Sequence, residues 1–399
     1  MTYSTRWSIL LIAFMVSLPA ISAQETKPES KPQKIDFSRA RELARKRSQG
    51  EKLTAEEEAF VRRALDAYQA WQQLERLTGG DRAATPRADA PAPPEGRSSV
   101  GFKPLNEMTA DDKYKGEDGG LFGEGKNKPP SYYSQFLADA SVKIKPLDAA
   151  GKPAKDGVIG VISISMSNAT QEFSMFKRIA DADEAKSPRV RIVDCAQGGQ
   201  TMAQWAPRDA RPWEVAANLL TQAKVSPQQV QIAWVKLANA GPRGDLQEHG
   251  RKLEKDTLAV LKNAHEKFPN LRMVYLSSRI YGGYGTGMLN PEPYAYEGAF
   301  VVRWIIQDHM KRFGGRGSVG NDYGSMGITW GPYLWADGTT PRASDKLIYT
   351  REDLAGDGTH PSQEGRKKVA DQLLNFFKTD WNAKQWFLKE YLDDDLDQD

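Results

Sequence analysis

Between residues 157 and 378, short apolar runs alternate with stretches whose apolar positions recur every three or four residues. The runs Val158–Ser165, Val190–Val193, Val230–Leu237 and Arg272–Leu276 are continuous and rich in β-branched residues, the composition required of a strand covered on both faces. Between and after them, Glu172–Ala182, Pro212–Ala223, Gly250–Phe268, Glu297–Phe313 and Ser362–Phe377 have helical spacing. Strand, helix and strand in that order predict right-handed crossovers and a parallel sheet with helices on both faces, a three-layer α/β/α sandwich. Ligands in such folds bind beyond the carboxyl ends of the strands, so the loops there are the place to look for chemistry.

The pattern upstream is different. Residues 24–35 are rich in Lys, Pro, Glu and Ser, the composition of a disordered segment. Over 36–77 the spacing predicts a charged helical hairpin. Ser38 is its first cap and Thr54-Ala-Glu-Glu57 a capping box, with Phe60, Val61, Ala64, Leu65 and Tyr68 on one face. A Gly/Ala/Pro-rich linker covers 78–100. Residues 101–156 lack periodicity except for a helix from Ser131 to about Lys145. Phe102, Tyr114, Leu121 and Phe122 give the irregular part something to bury, so it is expected to wrap on the domain at 101–380. Residues 381–399 read as a C-terminal helix and an acidic tail.

Composition narrows the function classes. With 55 basic and 52 acidic residues the net charge is only +3, and no basic run with interleaved aromatics points to nucleic acid. Residues 1–23 combine Arg6, the apolar run from Ser8 to Leu18 and small residues ending at Ala23, the grammar of an export signal. Secretion or a periplasmic location follows as an expectation, with an uncleaved tether as the alternative and no other membrane-spanning stretch. Cys195 is the one cysteine and has no partner for a disulfide. His249, His265 and His309 fall at unrelated helical spacings, so neither a metal nor a cofactor is expected.

Chemistry gathers at the strand ends. Asp357-Gly-Thr-His360 puts a carboxylate three residues before a histidine, where it can hold the imidazole Nδ1 proton and leave Nε2 as a base; the same residues also make an ordinary turn and helix cap. Ser167 follows the first strand directly before a helix, where backbone amides favour developing negative charge, though serines there are also plain caps. Gly198-Gly199 follows the second strand and Asn239 the third; each suits either a ligand-facing loop or a tight turn.

In order, Ser167, Gly199, Asn239 and the Asp357-x-x-His360 pair resemble the four blocks of the SGNH hydrolases, the GDSL-like esterase and lipase superfamily, over residues 157–378. The Ser167-Asn168 pairing is nearer its carbohydrate O-acetylesterase branch. The resemblance implies a flavodoxin-like sandwich in which Ser167, His360 and Asp357 form a catalytic triad. It also implies an oxyanion hole made by the Ser167 and Gly199 N–H groups and the Asn239 side chain. The chain departs from the family pattern at Ser165-Met166-Ser167, where a glycine is usual first, and at Asn239-Ala240, where an aspartate usually follows. A side chain at 165 is expected to narrow the approach to the serine, and the loop after Leu237 to lack its usual brace. Asn168, Gln171, Arg279 and Tyr281 are the expected substrate contacts. Aromatics at 281, 284, 330, 333 and 335 suit either a sugar cleft or core filling under loops. The expected activity is cleavage of an ester, of O-acetyl type, from a small-molecule or polysaccharide substrate. Two alternatives stand beside it: a non-catalytic carbohydrate-binding or scaffold protein on the same fold, and an esterase for lipid or small aryl esters.

Overall fold

The computed structural model describes residues 39, 40, 42, 43, 46, 51–64, 96–314 and 325–396, with the backbone alone at 313, 314 and 393–396. The export signal, the segment 24–35, most of the hairpin, the linker up to 95 and the last three residues of the acidic tail lie outside them. The chain divides into two compact units, Met1–Thr85 and Pro86–Asp399. In the first, residues 55–64 are helical and begin at the capping box: Thr54 N–H donates to Glu57 Oε2 (2.9 Å) and Glu57 N–H to Thr54 Oγ1 (3.3 Å). Among its described residues, Leu43, Val61 and Ala64 are buried apolar side chains.

The second unit is a three-layer α/β/α sandwich. Among the described residues its five strands are β1 (Ile159–Ile164), β2 (Val190–Val193), β3 (Val230–Lys236), β4 (Met273–Ser277) and β5 (Gly327–Trp330), in spatial order β2-β1-β3-β4-β5 and parallel throughout. Every residue of β1, β3 and β4 is buried, which is why these strands read as unbroken apolar runs. The strand β5 escapes the sequence pattern: Gly-Ile-Thr-Trp lacks the β-branched apolar run that marks β2 at the same length.

The α-helices among this unit's described residues are α1 (Ser131–Ser141), α2 (Ser167–Asp181), α3 (Met202–Trp205), α4 (Arg211–Gln222), α5 (Leu246–Lys267), α6 (Tyr294–Gly314), α7 (Gln363–Thr379), α8 (Trp381–Phe387) and α9 (Lys389–Leu396). α2 packs on α7 through Phe176 and Phe377, ring centroids 5.3 Å apart, while Phe173 of α2 stacks on Trp234 of β3. α5 packs on α6. Two helices start four or more residues earlier than their apolar spacing predicts. α5 begins at Leu246 because Asp245 caps it, accepting from the Gln247 and Glu248 N–H groups. α2 begins at Ser167, five residues ahead of Glu172, because Ser-Asn-Ala-Thr is helical without being amphipathic.

The glycine-rich segment before α1 lies against the sandwich. Ser99 Oγ and the N–H groups of Val100 and Gly101 converge on the Asp337 carboxylate at 2.5 to 3.0 Å. Tyr114 stacks on Phe300, and Arg303 pairs with Glu117.

Glu292 marks the loop between β4 and α6. Its Oε1 accepts from Gly282 N–H and Trp335 Nε1–H (2.8 Å each) and its Oε2 from Tyr296 N–H (3.0 Å). Burial nevertheless pushes this carboxyl up to about 7. A carboxyl that binds its proton more tightly in the folded chain stabilises the fold while protonated. That contribution fades as pH rises from the unfolded value of 4.5 through the folded one. The unfolding free energy is expected to decline by on the order of 3 kcal/mol at most between about pH 4.5 and 7 from this group. Glu292→Gln, which cannot titrate, should flatten that slope in urea titrations at several pH values; an unchanged slope would assign the proton elsewhere.

Candidate active site

Ser167, His360 and Asp357 form one hydrogen-bonded line. Ser167 Oγ lies 2.8 Å from His360 Nε2, and His360 Nδ1 lies 2.5 Å from Asp357 Oδ2. With the carboxylate accepting the Nδ1 proton, Nε2 is left to accept from the serine hydroxyl. Burial alone would raise the Asp357 carboxyl. The hydrogen bonds from the His360 side chain and from the His360 and Thr359 N–H groups (3.0 Å each) hold it well below the usual carboxylate range instead. It therefore stays charged where an imidazolium would form beside it.

The sequence builds each part of this line locally. Ser167 is the first residue of α2, and the helix cap is Met166, so the serine hydroxyl is not used as a cap. Its own N–H belongs to the first turn, which has no intrahelical acceptor. The β1–α2 junction is held by Asp194 at the end of β2. Its Oδ1 accepts from Ser163 Oγ (2.6 Å), and its Oδ2 accepts from Thr170 Oγ1 (2.5 Å) and Ser174 Oγ (2.6 Å). Gly358, between Asp357 and Thr359, has φ +66°, and a Cβ there would overlap the Tyr284 carbonyl oxygen. Only glycine allows the turn that brings the carboxylate back onto its histidine.

Asn168 and Arg279, expected as substrate contacts, are turned inward. Asn168 is 1% exposed and donates Nδ2–H to the Thr359 carbonyl at 2.8 Å; the buried Arg279 guanidinium reaches the same oxygen at 3.4 Å. One carbonyl thus ties the neighbour of the serine to the neighbour of the histidine. Tyr281 is 1% exposed, its hydroxyl donating to the Arg97 carbonyl at 2.5 Å. Gln171, one helical turn beyond Ser167, is half-buried with an Oε1 that accepts no hydrogen bond. Position at a strand end does not reveal which way a side chain points, and the inward environment decides here. The loop aromatics are likewise interior: Tyr281, Tyr284, Trp330, Tyr333 and Trp335 are all buried.

Both departures from the block pattern have a structural counterpart. Ser165 is fully buried, and its Oγ contacts the Lys236 carbonyl and Met166 Sδ, so it does not crowd the serine from the open side. Asn239 is braced from α5, where Asp256 Oδ2 accepts from Asn239 Nδ2 at 2.6 Å. Its Oδ1 accepts from the Ala203 N–H (2.8 Å), and Asn290 Nδ2 donates to its carbonyl (2.6 Å). Asp256 performs the bracing of an adjacent aspartate from 17 residues away. One Nδ2 hydrogen of Asn239 remains beyond the bond to Asp256. Gly199 has φ +75° and open space where a Cβ would sit.

Lys236 at the end of β3 and Glu172 on α2 form a fully buried ion pair, Nζ to Oε1 2.6 Å. Burial pushes the Lys236 ammonium down to about 8, against the opposing pull of Glu172. Sequence reading passed over this pair, although a lysine inside an apolar strand and a glutamate on the buried face of a helix are its signal.

Beside Asn239 opens a cavity of about 440 Å³ lined in part by Thr201, Gln204, Arg243, His249, Lys252 and Asn290. Among the described residues, no group of three or more His, Cys, Asp or Glu is placed to hold a metal ion, and no helix is long and apolar enough to cross a membrane.

The geometry defines a serine–histidine–aspartate array at the carboxyl edge of a parallel α/β/α sheet. No protein-family model and no curated protein matches the chain. Among solved structures, it is similar to an Arabidopsis thaliana protein at 13% identity and TM-score 0.30. That match covers 51% of this chain and spans only 65% of the length of the other. It is also similar to a candidate acylhydrolase of Bacteroides fragilis (12% identity, TM-score 0.33, 62% of this chain and 96% of that one). A third is the periplasmic domain of a Salmonella lipopolysaccharide acetyltransferase (12%, 0.32, 61% and 96%). Identities and TM-scores this low leave the functional reading to the geometry of the site.

Proposed function

We propose that this chain is a serine ester hydrolase that removes acyl groups, of O-acetyl size, from a carbohydrate. The observation that carries the proposal is the unbroken line from Ser167 Oγ through both ring nitrogens of His360 to Asp357. In the mechanism, Ser167 Oγ attacks the ester carbonyl carbon as its proton passes to His360 Nε2. The negative charge that develops on the carbonyl oxygen meets the Ser167 and Gly199 N–H groups and the remaining Nδ2 hydrogen of Asn239. His360 then protonates the leaving alcohol, and Ser167 keeps the acyl group. Water, deprotonated by His360, attacks that acyl-serine and releases the acid. Asp357 remains ionised throughout and holds the imidazole.

With the loop aromatics buried, support for a sugar rests on the cavity beside Asn239, where Gln204 Nε2 and Asn290 Oδ1 are suited to hydroxyl groups. Thr201 Oγ1 and Gln204 Oε1 are bonded to each other, and Asn290 Nδ2 to the Asn239 carbonyl. The test is burst kinetics with p-nitrophenyl acetate, followed by acetate release from acetylated oligosaccharides. A burst of one equivalent and acetate release are expected; no turnover of any ester would favour a non-catalytic protein.

The Asn168–Thr359 link makes Asn168 a positioning residue. Asn168→Ala is expected to lower stability by about 1–3 kcal/mol, since the Thr359 carbonyl loses its shorter partner. It should also lower kcat with little change in KM, because the serine and the histidine are no longer held in register. Urea unfolding and steady-state kinetics read the two effects separately. A destabilised variant with unchanged kcat would leave Asn168 a purely structural role.

A further inference from the structure

The cavity beside Asn239 contains groups that the triad does not use. His249, on the first turns of α5, is 7% exposed, and its Nε2 is hydrogen-bonded to Glu297 of α6. The Glu297 carboxylate also accepts from the Tyr114 hydroxyl and Lys115 Nζ, 2.7 Å each. Burial would raise this carboxyl, but those three partners pull it below its usual value, so it is a charged acceptor for Nε2–H. Nδ1 of this buried, oriented imidazole is then left as an acceptor, it bonds no protein group among the described residues, and His249 lines the cavity. Arg243, in the loop ahead of α5, lines the same cavity and makes no ion pair among the described residues. Lys252 also lines it, its Nζ 2.8 Å from Asp256. Glu248 is the one acid in the lining, and its Oε2 already accepts from the Asp245 N–H.

A preoriented imidazole, an unpaired guanidinium and the amides of Gln204 and Asn290 suit a ligand that carries one carboxylate among hydroxyl groups. We propose that this cavity binds a sugar acid, with Arg243 on the carboxylate and His249 Nδ1 and the two amides on hydroxyls. The guanidinium fork matches a carboxylate in two bonds, and the volume falls within the roughly 300–1,000 Å³ of small-ligand sites. Asn239 lines this cavity and also belongs to the proposed oxyanion site, and it is the one residue the two share. That the bound sugar is the ester's own alcohol rests on the hydrolase reading; binding itself does not.

Isothermal titration of the full chain with D-glucuronate, D-glucose and acetate separates the contributions, because the first two share a ring and the third supplies a carboxylate alone. Glucuronate is expected to bind at least roughly tenfold more tightly than either, the size of one charge-assisted pair. Arg243→Gln, at an exposed position, should lose roughly tenfold for glucuronate and leave glucose unchanged. Hydrogen exchange should show protection by glucuronate over residues 239–253. Equal binding of glucose and glucuronate, no binding, an unaffected Arg243→Gln, or protection confined to other segments would each overturn the proposal. Ester hydrolysis surviving in Ser167→Ala would instead remove the serine mechanism and leave the titration result standing.

Discussion

Ser167→Ala is expected to abolish ester hydrolysis, lowering kcat by on the order of 10⁶-fold, the scale seen when a serine protease loses its nucleophile. The loss is that large because the hydroxyl is the group that the mechanism acylates. Without it, His360 and Asp357 can activate only water, which is not held in the serine's place. The fold should be untouched, since Ser167 is half-buried at the first position of α2 and its hydroxyl makes no capping bond. Turnover of p-nitrophenyl acetate, with a thermal melt by circular dichroism, checks both halves. A variant that melts like the wild type and still turns over the ester would place the nucleophile elsewhere.

The second large effect belongs to Asn239. Removal of one oxyanion donor is expected to cost about 10²- to 10³-fold in kcat, or about 2.7–4 kcal/mol of transition-state stabilisation, with KM nearly unchanged. The structure adds a complication that a variant series resolves. Asn239 is held by Asp256 and by the Ala203 N–H. Truncation to alanine therefore also leaves the Ala203 N–H without its acceptor and Asp256 with Lys252 alone, both part-buried, and should lower stability by about 1 kcal/mol. Asp256→Asn keeps the size of the brace and removes its charge. It is expected to lower kcat by less than Asn239→Ala does, because the donor stays in place but is less firmly aimed. Wild-type kcat in Asn239→Ala would take it out of the oxyanion hole.

Much of this was legible in the chain. Four strands announced themselves because burial on both faces demands continuous β-branched runs, and their order dictated the parallel sheet. The structure brings Ser167, His360 and Asp357 together because Asp357-x-x-His360 is a local unit on a glycine turn and Ser167 sits where a strand gives way to a helix. What the chain withheld depends on contacts distant in sequence. Asp256 braces Asn239 from a helix. Asn168 and Arg279 meet at the Thr359 carbonyl from opposite sides of the sheet order. Tyr281 and Trp335 look the same on paper whether they line a cleft or fill a core. His249 reads as one of several unrelated helical histidines until α6 places Glu297 against it.

The central claim is that Ser167 is an activated nucleophile. The most direct measurement is reaction of the full chain with a fluorophosphonate, followed by peptide mass mapping. A single phosphonyl adduct on Ser167 is expected, formed at a rate that collapses in His360→Ala. An adduct on another serine, or none after prolonged exposure of folded protein, would contradict it.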